Sequence, residues 1–157
     1  MSLLLQCPNL VKFCAVDNRR PEFHRVLQRP ETTRNLEYLS WNFVSDPACN
    51  SLYHQLRFPS LRYFSWYSSP GDHEENEEMS ALRSLVSNFP STVSQLCLSY
   101  AYGWPGDFTE FLFANMRNLK KVDVDECDPS IVISLPVTTQ QDEWLGWLLL
   151  FAITCQG

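Results

Sequence analysis

The sequence predicts an α/β fold in which short parallel strands alternate with helices along a solenoid. An apolar-x-x-apolar-x-apolar block occurs five times in the 157 residues. The blocks begin at residues 10, 36, 61, 93 and 119, so the steps are 26, 25, 32 and 26 residues. A near-constant step of this length is the signature of a repeat array. The segments between blocks carry apolar residues at helical spacing, which predicts a helix in each return segment.

The spacing within a block is that of a half-buried strand. Successive side chains of a strand point to opposite faces. The fourth and sixth residues of each block therefore lie on one face of the strand, and the fifth lies on the other. One such strand cannot bury its apolar face alone, and stacked copies are expected to pair as a parallel sheet over a common core. The apolar triplets are Leu10, Phe13 and Ala15; Leu36, Leu39 and Trp41; Leu61, Phe64 and Trp66; Val93, Leu96 and Leu98; and Leu119, Val122 and Val124.

Helices are predicted in the return segments 21–27, 46–56, 77–89 and 107–116. The second segment opens with an Asp-Pro pair, which suits an N-cap and first helical position. The third begins with acidic residues, whose charge complements the helix dipole. Their apolar stripes predict helices that pack against the sheet.

These blocks resemble leucine-rich repeats, whose pattern is L-x-x-L-x-L-x-x-N/C-x-L at about 20–29 residues per repeat. Asn18 and Cys127 stand at the Asn/Cys position, where the resemblance implies that they satisfy backbone groups as the chain turns. Val44, Ser69 and Ala101 replace that residue in the other blocks. The resemblance covers roughly residues 1–130, and it implies a solenoid with parallel strands on its concave face and helices on its convex face.

The lead-ins CPNL, FPSL and MRNL and the aromatic blocks are similar in particular to the repeat regions of fungal F-box proteins. The F-box itself, a helical region opening on Leu-Pro, is absent from the sequence, and SLLLQCPNL looks like the last helix of an earlier repeat. We therefore expect about five repeats in residues 1–130, with an N-terminally truncated array as one alternative, and an apolar tail in residues 131–157. The tail is a cap or unstructured.

The family resemblance implies a protein-protein interaction module, and more specifically the substrate-recognition part of an F-box-type ubiquitin ligase adaptor. The contact with the ligase scaffold would lie in a missing N-terminal region, and the substrate would be an unidentified protein. A stand-alone repeat scaffold and a non-functional fragment are the alternatives. A small hydrolase is a more remote one.

The side chains on the outward side of the strands form the predicted partner-binding surface. Tyrosine offers a large contact area with a polar tip, which favours protein recognition. The predicted contact residues are Tyr38, Ser40, Asn42, Tyr63, Ser65, Tyr67, Gln95, Ser99, Lys121, Asp123 and Asp125.

Composition excludes several other classes of function. The formal net charge of -6, from 12 basic and 18 acidic residues, gives no field that would attract a phosphate backbone. No two of the six cysteines form a C-x-x-C pair, so neither a zinc site nor a redox motif is predicted. Cysteines within apolar runs and the lack of a secretory signal favour a reducing compartment, cytoplasmic or nuclear.

The sequence also predicts no catalytic centre and no cofactor or metal. It contains neither a G-x-S-x-G elbow nor a phosphate-binding glycine loop. His73 with its neighbouring glutamates has no fixed geometry for a metal. Asp123 and Asp125 share one strand face, as a catalytic carboxylate pair would, but surface acids are the commoner explanation.

Three segments keep two or more interpretations. The acid-rich stretch 67–78 is a solvated loop with an acidic helix start, or a docking site for a basic partner. Trp104 is an exposed anchor or tucks over the edge of the core, which we favour. The apolar run 143–153 is a capping helix, a membrane-surface segment or read-through from an imperfect gene model; it is too short to span a bilayer, which takes about 20 residues.

Overall fold

The computed structural model describes residues 7–15, 30–42, 53–68, 75–128 and 131. Residues 53–55 are also helical, at the end of the predicted second return segment. The predictions that fall on Asn18, Val44, Ser69, His73, segment 21–27, residues 46–52 and the tail beyond Ile131 lie outside the described residues. The elements within the described ranges are β1 (Lys12–Ala15), β2 (Glu31–Thr32), β3 (Tyr38–Asn42), β4 (Leu56–Arg57), β5 (Tyr63–Tyr67), α1 (Glu75–Val86), β6 (Gln95–Ser99), α2 (Gly106–Asn115) and β7 (Lys121–Asp125).

The principal feature is an open parallel sheet of five strands in the order β1-β3-β5-β6-β7. The five strands follow one another across the sheet in chain order, as the repeated blocks predict. Their register places the fourth residues of successive blocks side by side: Leu39 pairs with Phe64, Phe64 with Leu96, and Leu96 with Val122. The predicted adjacency and common direction of these strands are confirmed.

A second, two-stranded parallel sheet joins β2 to β4, with Glu31 opposite Leu56 and Thr32 opposite Arg57. Each of these strands begins five residues before an apolar block, at Leu36 and Leu61. The sequence analysis did not predict this sheet. It repeats with the same step as the main strands, so the repetition extends beyond the blocks themselves.

The core lies between the main sheet and the helices. The inward residues Leu39, Phe64 and Leu96 belong to one buried cluster with Leu82 of α1 and Leu112 of α2. The helices were predicted at 77–89 and 107–116, and α1 and α2 lie within two or three residues of those bounds. Ile131, just past the predicted end of the repeats, is buried in the same cluster. The protein is thus a mixed α/β structure with helices covering one sheet face.

The strands enter the sheet through one repeated hydrogen-bond arrangement. At each step, the residue before a strand and the first residue of that strand both donate their N–H groups to one carbonyl in the preceding repeat. We call residues 7–11, 33–37, 58–62, 90–94 and 116–120 the amino edge. The shared acceptors are Val11 for Glu37 and Tyr38, Glu37 for Arg62 and Tyr63, Arg62 for Ser94 and Gln95, and Ser94 for Lys120 and Lys121.

Polar side chains of the amino edge form a second ladder. Each reaches a backbone carbonyl of the preceding repeat, so it satisfies a group that the strand ladder leaves unused. The donors are Asn35 to Pro8 at 3.1 Å, Ser60 to Arg34 at 2.6 Å, Thr92 to Leu61 at 2.6 Å and Asn118 to Ser91 at 2.7 Å. The short polar lead-ins of the sequence are therefore the residues that join one repeat to the next.

No helix in the described part of the chain is long and apolar enough to cross a bilayer.

Candidate partner-binding face

The side of the sheet opposite the core, which we call the outer face, carries an organised aromatic row. Register places Lys12, Tyr38 and Tyr63 side by side on β1, β3 and β5. The rings of Tyr38 and Tyr63 stack, with centroids 4.2 Å apart and planes 4° from parallel. Lys12 Nζ lies 4.2 Å from the Tyr38 ring centroid, within cation–π distance. Three strands thus present one continuous surface of aromatic rings and a cation.

The Tyr63 hydroxyl is held in its neutral form. Burial raises the pKa of Tyr63 above its ordinary value, and neighbouring Cys97 and Tyr38 raise it further. A tyrosine with its ordinary pKa is already neutral at physiological pH, so the shift leaves this hydroxyl as a hydrogen-bond donor and acceptor. The ring row therefore combines apolar area with a polar group that can orient a partner.

A row of small side chains runs beside the tyrosines. Ser40, Ser65, Cys97 and Asp123 are aligned across four strands, and all four are half-buried. At its far end, Lys121 Nζ and a carboxylate oxygen of Asp123 form an ion pair at 2.7 Å. Gln95 is exposed beside them. These small residues form a shallow floor next to the stacked rings.

Two predicted contact residues are buried and cannot present their side chains to a partner. Asn42 is 6% exposed and Ser99 is 9% exposed. Both are small side chains at the carboxyl ends of their strands, and register pairs each of them with Tyr67. Alternation along one strand predicts the face of a side chain but not how far neighbouring strands and loops cover it. The outer face therefore excludes Asn42 and Ser99, while Tyr67 is 38% exposed.

The sequence analysis missed the residues just beyond the strands. We call Tyr67, Ser68, residues 99–102 and residues 125–128 the carboxyl edge. Tyr100 directly follows β6 and Glu126 directly follows β7, and both have left-handed backbone conformations with φ of 59° and 48°. The Tyr100 N–H donates to the Asp125 carbonyl at 3.0 Å. The two residues are one 26-residue step apart, so repeat alignment could have found them.

Three tyrosines gather at this edge. The rings of Tyr67 and Tyr100 lie 4.9 Å apart at an angle of 52°. A hydrogen bond between their hydroxyls, followed by the charge of Glu126, raises the pKa of Tyr100 to about 12. Tyr102 is 53% exposed, and its pKa is raised by desolvation and then by the Glu126 carboxylate. Glu126, which follows β7, therefore lies close enough to influence both tyrosines that follow β6.

Cys127 performs the role that the repeat pattern implies for it. Its Sγ accepts a hydrogen bond from the Ala101 N–H at 3.4 Å and donates to the carbonyl of Asp125 at 3.2 Å or of Leu98 at 3.4 Å. Burial raises the pKa of the Cys127 thiol, although the Ala101 N–H that donates to the sulfur acts in the opposite direction. The side chain satisfies backbone groups where the chain leaves the last strand.

The start of α1 is acidic, as predicted, but one of its carboxylates is buried. Glu78 is 8% exposed, and its Oε1 accepts hydrogen bonds from Trp66 Nε1 at 2.7 Å and from the Ser68 hydroxyl. A buried carboxylate is stabilised when donors surround it. Glu78 thus connects the helix to the end of β5.

Trp104 is buried at the edge of the core, which is the position that we favoured from the sequence. The centroids of its ring and of the Phe108 ring lie 5.0 Å apart in an edge-on contact.

The described residues present no clear catalytic arrangement. Ser84 Oγ lies 3.3 Å from His54 Nε2, but its hydroxyl donates to the Ser80 carbonyl at 2.8 Å. Its proton therefore points away from the base that would have to accept it. Within the described ranges, no group of three or more His, Cys, Asp or Glu residues is placed to hold a metal ion.

Neither the family models nor the curated proteins nor the solved structures contain a match to this chain. The geometry of the sheet and its edges is consequently the basis for a functional proposal.

Proposed function

We propose that the chain is a leucine-rich-repeat solenoid that binds another protein across the outer face of its sheet. The repeated amino edge, the chain-order parallel pairing and the Cys127 hydrogen bonds support the repeat architecture. Stacked repeats of this kind provide extended binding surfaces. The observation that carries the binding proposal is the stacked, partly exposed pair Tyr38 and Tyr63 with Lys12 over it.

The chemistry of this row favours a protein over a small ligand. Tyrosine rings that are already stacked lose little conformational entropy on binding, and tyrosine is enriched among the residues that dominate interface energies. The neighbouring small residues allow a partner's backbone or side chains to approach the sheet. A flat surface of this kind suits a partner segment that crosses several strands.

The resemblance to F-box repeat regions suggests a specific setting for this binding. In that setting the outer face holds a substrate for ubiquitin transfer, and another part of the adaptor contacts the ligase scaffold. A stand-alone scaffold would use the same face without the ligase. The two settings differ in whether the captured partner becomes ubiquitinated, so cellular ubiquitination of that partner separates them.

The proposal is tested with the variant Tyr38→Ala/Tyr63→Ala/Tyr67→Ala. Proteins captured by the wild-type chain are identified by quantitative mass spectrometry, and the strongest is purified for affinity measurement. We expect the triple variant to weaken that affinity by at least about tenfold, since central aromatic residues contribute most to interfaces.

The matched control is Glu110→Ala/Arg117→Ala, which changes exposed residues on α2 and just after it. This control should keep wild-type affinity, and circular dichroism should show that both variants are folded. Equal affinity for the wild type and the tyrosine variant would disprove binding through the outer face.

A further inference from the structure

The carboxyl edge of the sheet has a chemistry distinct from that of the outer face. Tyr67, Tyr100 and Tyr102 lie there with Asp125 and Glu126, and all five follow or end strands β5, β6 and β7. Neighbouring strands in a sheet are about 4.8 Å apart, so these side chains occupy adjacent positions. Aromatic rings and carboxylates together are the groups that attract an organic cation.

The carboxylates of this edge are available for a partner. Asp123, on the same strand, is already paired with Lys121. Within the part of the chain that the structure describes, neither Asp125 nor Glu126 forms an ion pair with a lysine or arginine. Both residues are exposed. The pKa of Tyr100 is raised first by its hydrogen bond with Tyr67 and that of Tyr102 first by desolvation, and the charge of Glu126 adds to both.

The backbone at this edge carries large side chains where a smaller residue would be less strained. Tyr100 and Glu126 adopt φ of 59° and 48°, a region that glycine and asparagine enter most readily. A left-handed conformation costs other residues about 1–2 kcal/mol. Such strain is concentrated at ligand-binding positions, where the rest of the fold compensates for it. The arrangement therefore costs stability while it directs a ring and a carboxylate to the same edge.

We propose that the carboxyl edge binds an arginine side chain of a basic segment in the protein partner. The guanidinium would lie against the exposed tyrosine rings and form charge-assisted hydrogen bonds with Asp125 and Glu126. Arginine fits better than lysine, because its planar guanidinium stacks on aromatic faces and can engage carboxylates with two parallel N–H donors. The inference rests on the proposed function, since the segment crossing the outer face would continue over this edge.

The binding test uses labelled, acetylated and amidated hexa-arginine and hexa-lysine peptides with the full chain. Their affinities are measured by fluorescence anisotropy. The ionic strength is physiological, because salt then screens the long-range attraction between the cationic peptides and the negatively charged chain. We expect hexa-arginine to bind about two- to fivefold more tightly than hexa-lysine. Absence of hexa-arginine binding, or equal affinities for the two peptides, would overturn the proposal.

Two variant pairs separate the local site from net charge. Asp125→Asn/Glu126→Gln should weaken hexa-arginine binding about five- to tenfold, since two exposed ion pairs are lost. The control Glu37→Gln/Glu110→Gln removes the same charge from exposed positions elsewhere and should change the affinity less than about twofold. If both pairs weakened hexa-arginine binding equally, the binding would depend only on the net charge of the chain, and the proposal would be contradicted.

The aromatic contribution is tested by Tyr102→Ala, because this residue is well exposed and its removal should leave the fold intact. We expect hexa-arginine affinity to fall about two- to fivefold, with hexa-lysine affected less. Unchanged arginine affinity would remove Tyr102 from the site. If all peptide effects are absent while the double variant Tyr38→Ala/Tyr63→Ala, which leaves Tyr67 in place, still loses partner capture, the arginine site is wrong and the proposed function stands.

Discussion

The two edges of the parallel sheet differ in how far their side chains repeat from one strand to the next. At the amino edge, every step repeats the same pair of backbone hydrogen bonds, and four polar side chains repeat the same contact with the preceding repeat. At the carboxyl edge a backbone contact also recurs, since the N–H of Ser68 donates to the Ser99 carbonyl and that of Tyr100 to the Asp125 carbonyl, but the side chains differ. Ser68 bonds to buried Glu78 after β5, Tyr100 follows β6 and Glu126 follows β7. Under our proposals the edge with repeating side chains serves as the framework and the edge with variable side chains meets the partner.

This difference shows which residues a repeat pattern constrains. A side chain that reaches back to the preceding repeat must recur at every step, because each repeat needs the same support. A side chain that faces a partner has no such requirement, so it varies from one step to the next. The variable edge is therefore the better place to look for specificity.

The largest expected effect tests the core beneath both edges. Phe64→Ala removes a fully buried ring between Leu39 and Leu96 and should lower the free energy of unfolding by about 3–5 kcal/mol. Urea unfolding followed by tryptophan fluorescence and by far-UV circular dichroism measures this loss. The control Gln95→Ala, at an exposed position on the next strand, should change stability by less than about 0.5 kcal/mol. A small loss for Phe64→Ala would contradict a shared core.

A smaller effect is expected at the amino edge. Thr92→Val keeps the shape of the side chain but removes its 2.6 Å hydrogen bond to the Leu61 carbonyl, and we expect a loss of about 0.5–1.5 kcal/mol in unfolding free energy. Hexa-arginine affinity should be unchanged, since Thr92 lies at the opposite edge. If Thr92→Val lost hexa-arginine binding but kept its stability, the roles that we assign to the two edges would be wrong.

The carboxyl edge should show the converse behaviour. Glu126→Gly relieves the left-handed backbone at φ 48° and should raise the unfolding free energy by up to about 1 kcal/mol. It also removes a carboxylate, so hexa-arginine should bind more weakly. Denaturant titration and anisotropy on the same sample measure both changes. A stability loss combined with unchanged binding would place Glu126 in the framework.

The smallest effect is a pH dependence at Cys127. Burial raises the pKa of its thiol from the ordinary value of 9.0, so the unfolded chain loses this proton at lower pH than the folded chain. The associated stability is fully present below pH 9 and is lost as the pH rises from 9 through the raised value. The stability advantage of the wild type over Cys127→Ala should thus shrink between pH 8 and 10. An advantage that grows over this interval would contradict the buried thiol.

Period-two alternation was sufficient to predict the main sheet, because Leu39, Phe64, Leu96 and Val122 can share a core only on adjacent strands in register. It could not predict β2 and β4, since two residues carry no detectable period. The mistaken exposure of Asn42 and Ser99 has a different cause, because burial depends on neighbouring strands and loops that alternation along one strand does not describe. The burial of Glu78 left no signal among neighbouring acids, although its two donors explain it.

The carboxyl edge was missed for a different reason. Tyr100, Tyr102 and Glu126 lie outside the apolar blocks that defined the repeats, and their left-handed conformations cannot be inferred from residue type. Aligning the chain by the repeat step places Tyr100 and Glu126 at equivalent positions. The length of the step therefore predicts that these two residues correspond, which the apolar blocks alone do not.

The division between the two edges is tested most directly by the backbone amide chemical shifts of the isotope-labelled chain during titration with hexa-arginine. The account predicts that the shifted amides cluster at residues 67–68, 99–102 and 125–128, while those at 33–37, 58–62, 90–94 and 116–120 stay in place. Shifts concentrated at the amino edge, or spread evenly over the exposed acidic residues, would contradict it.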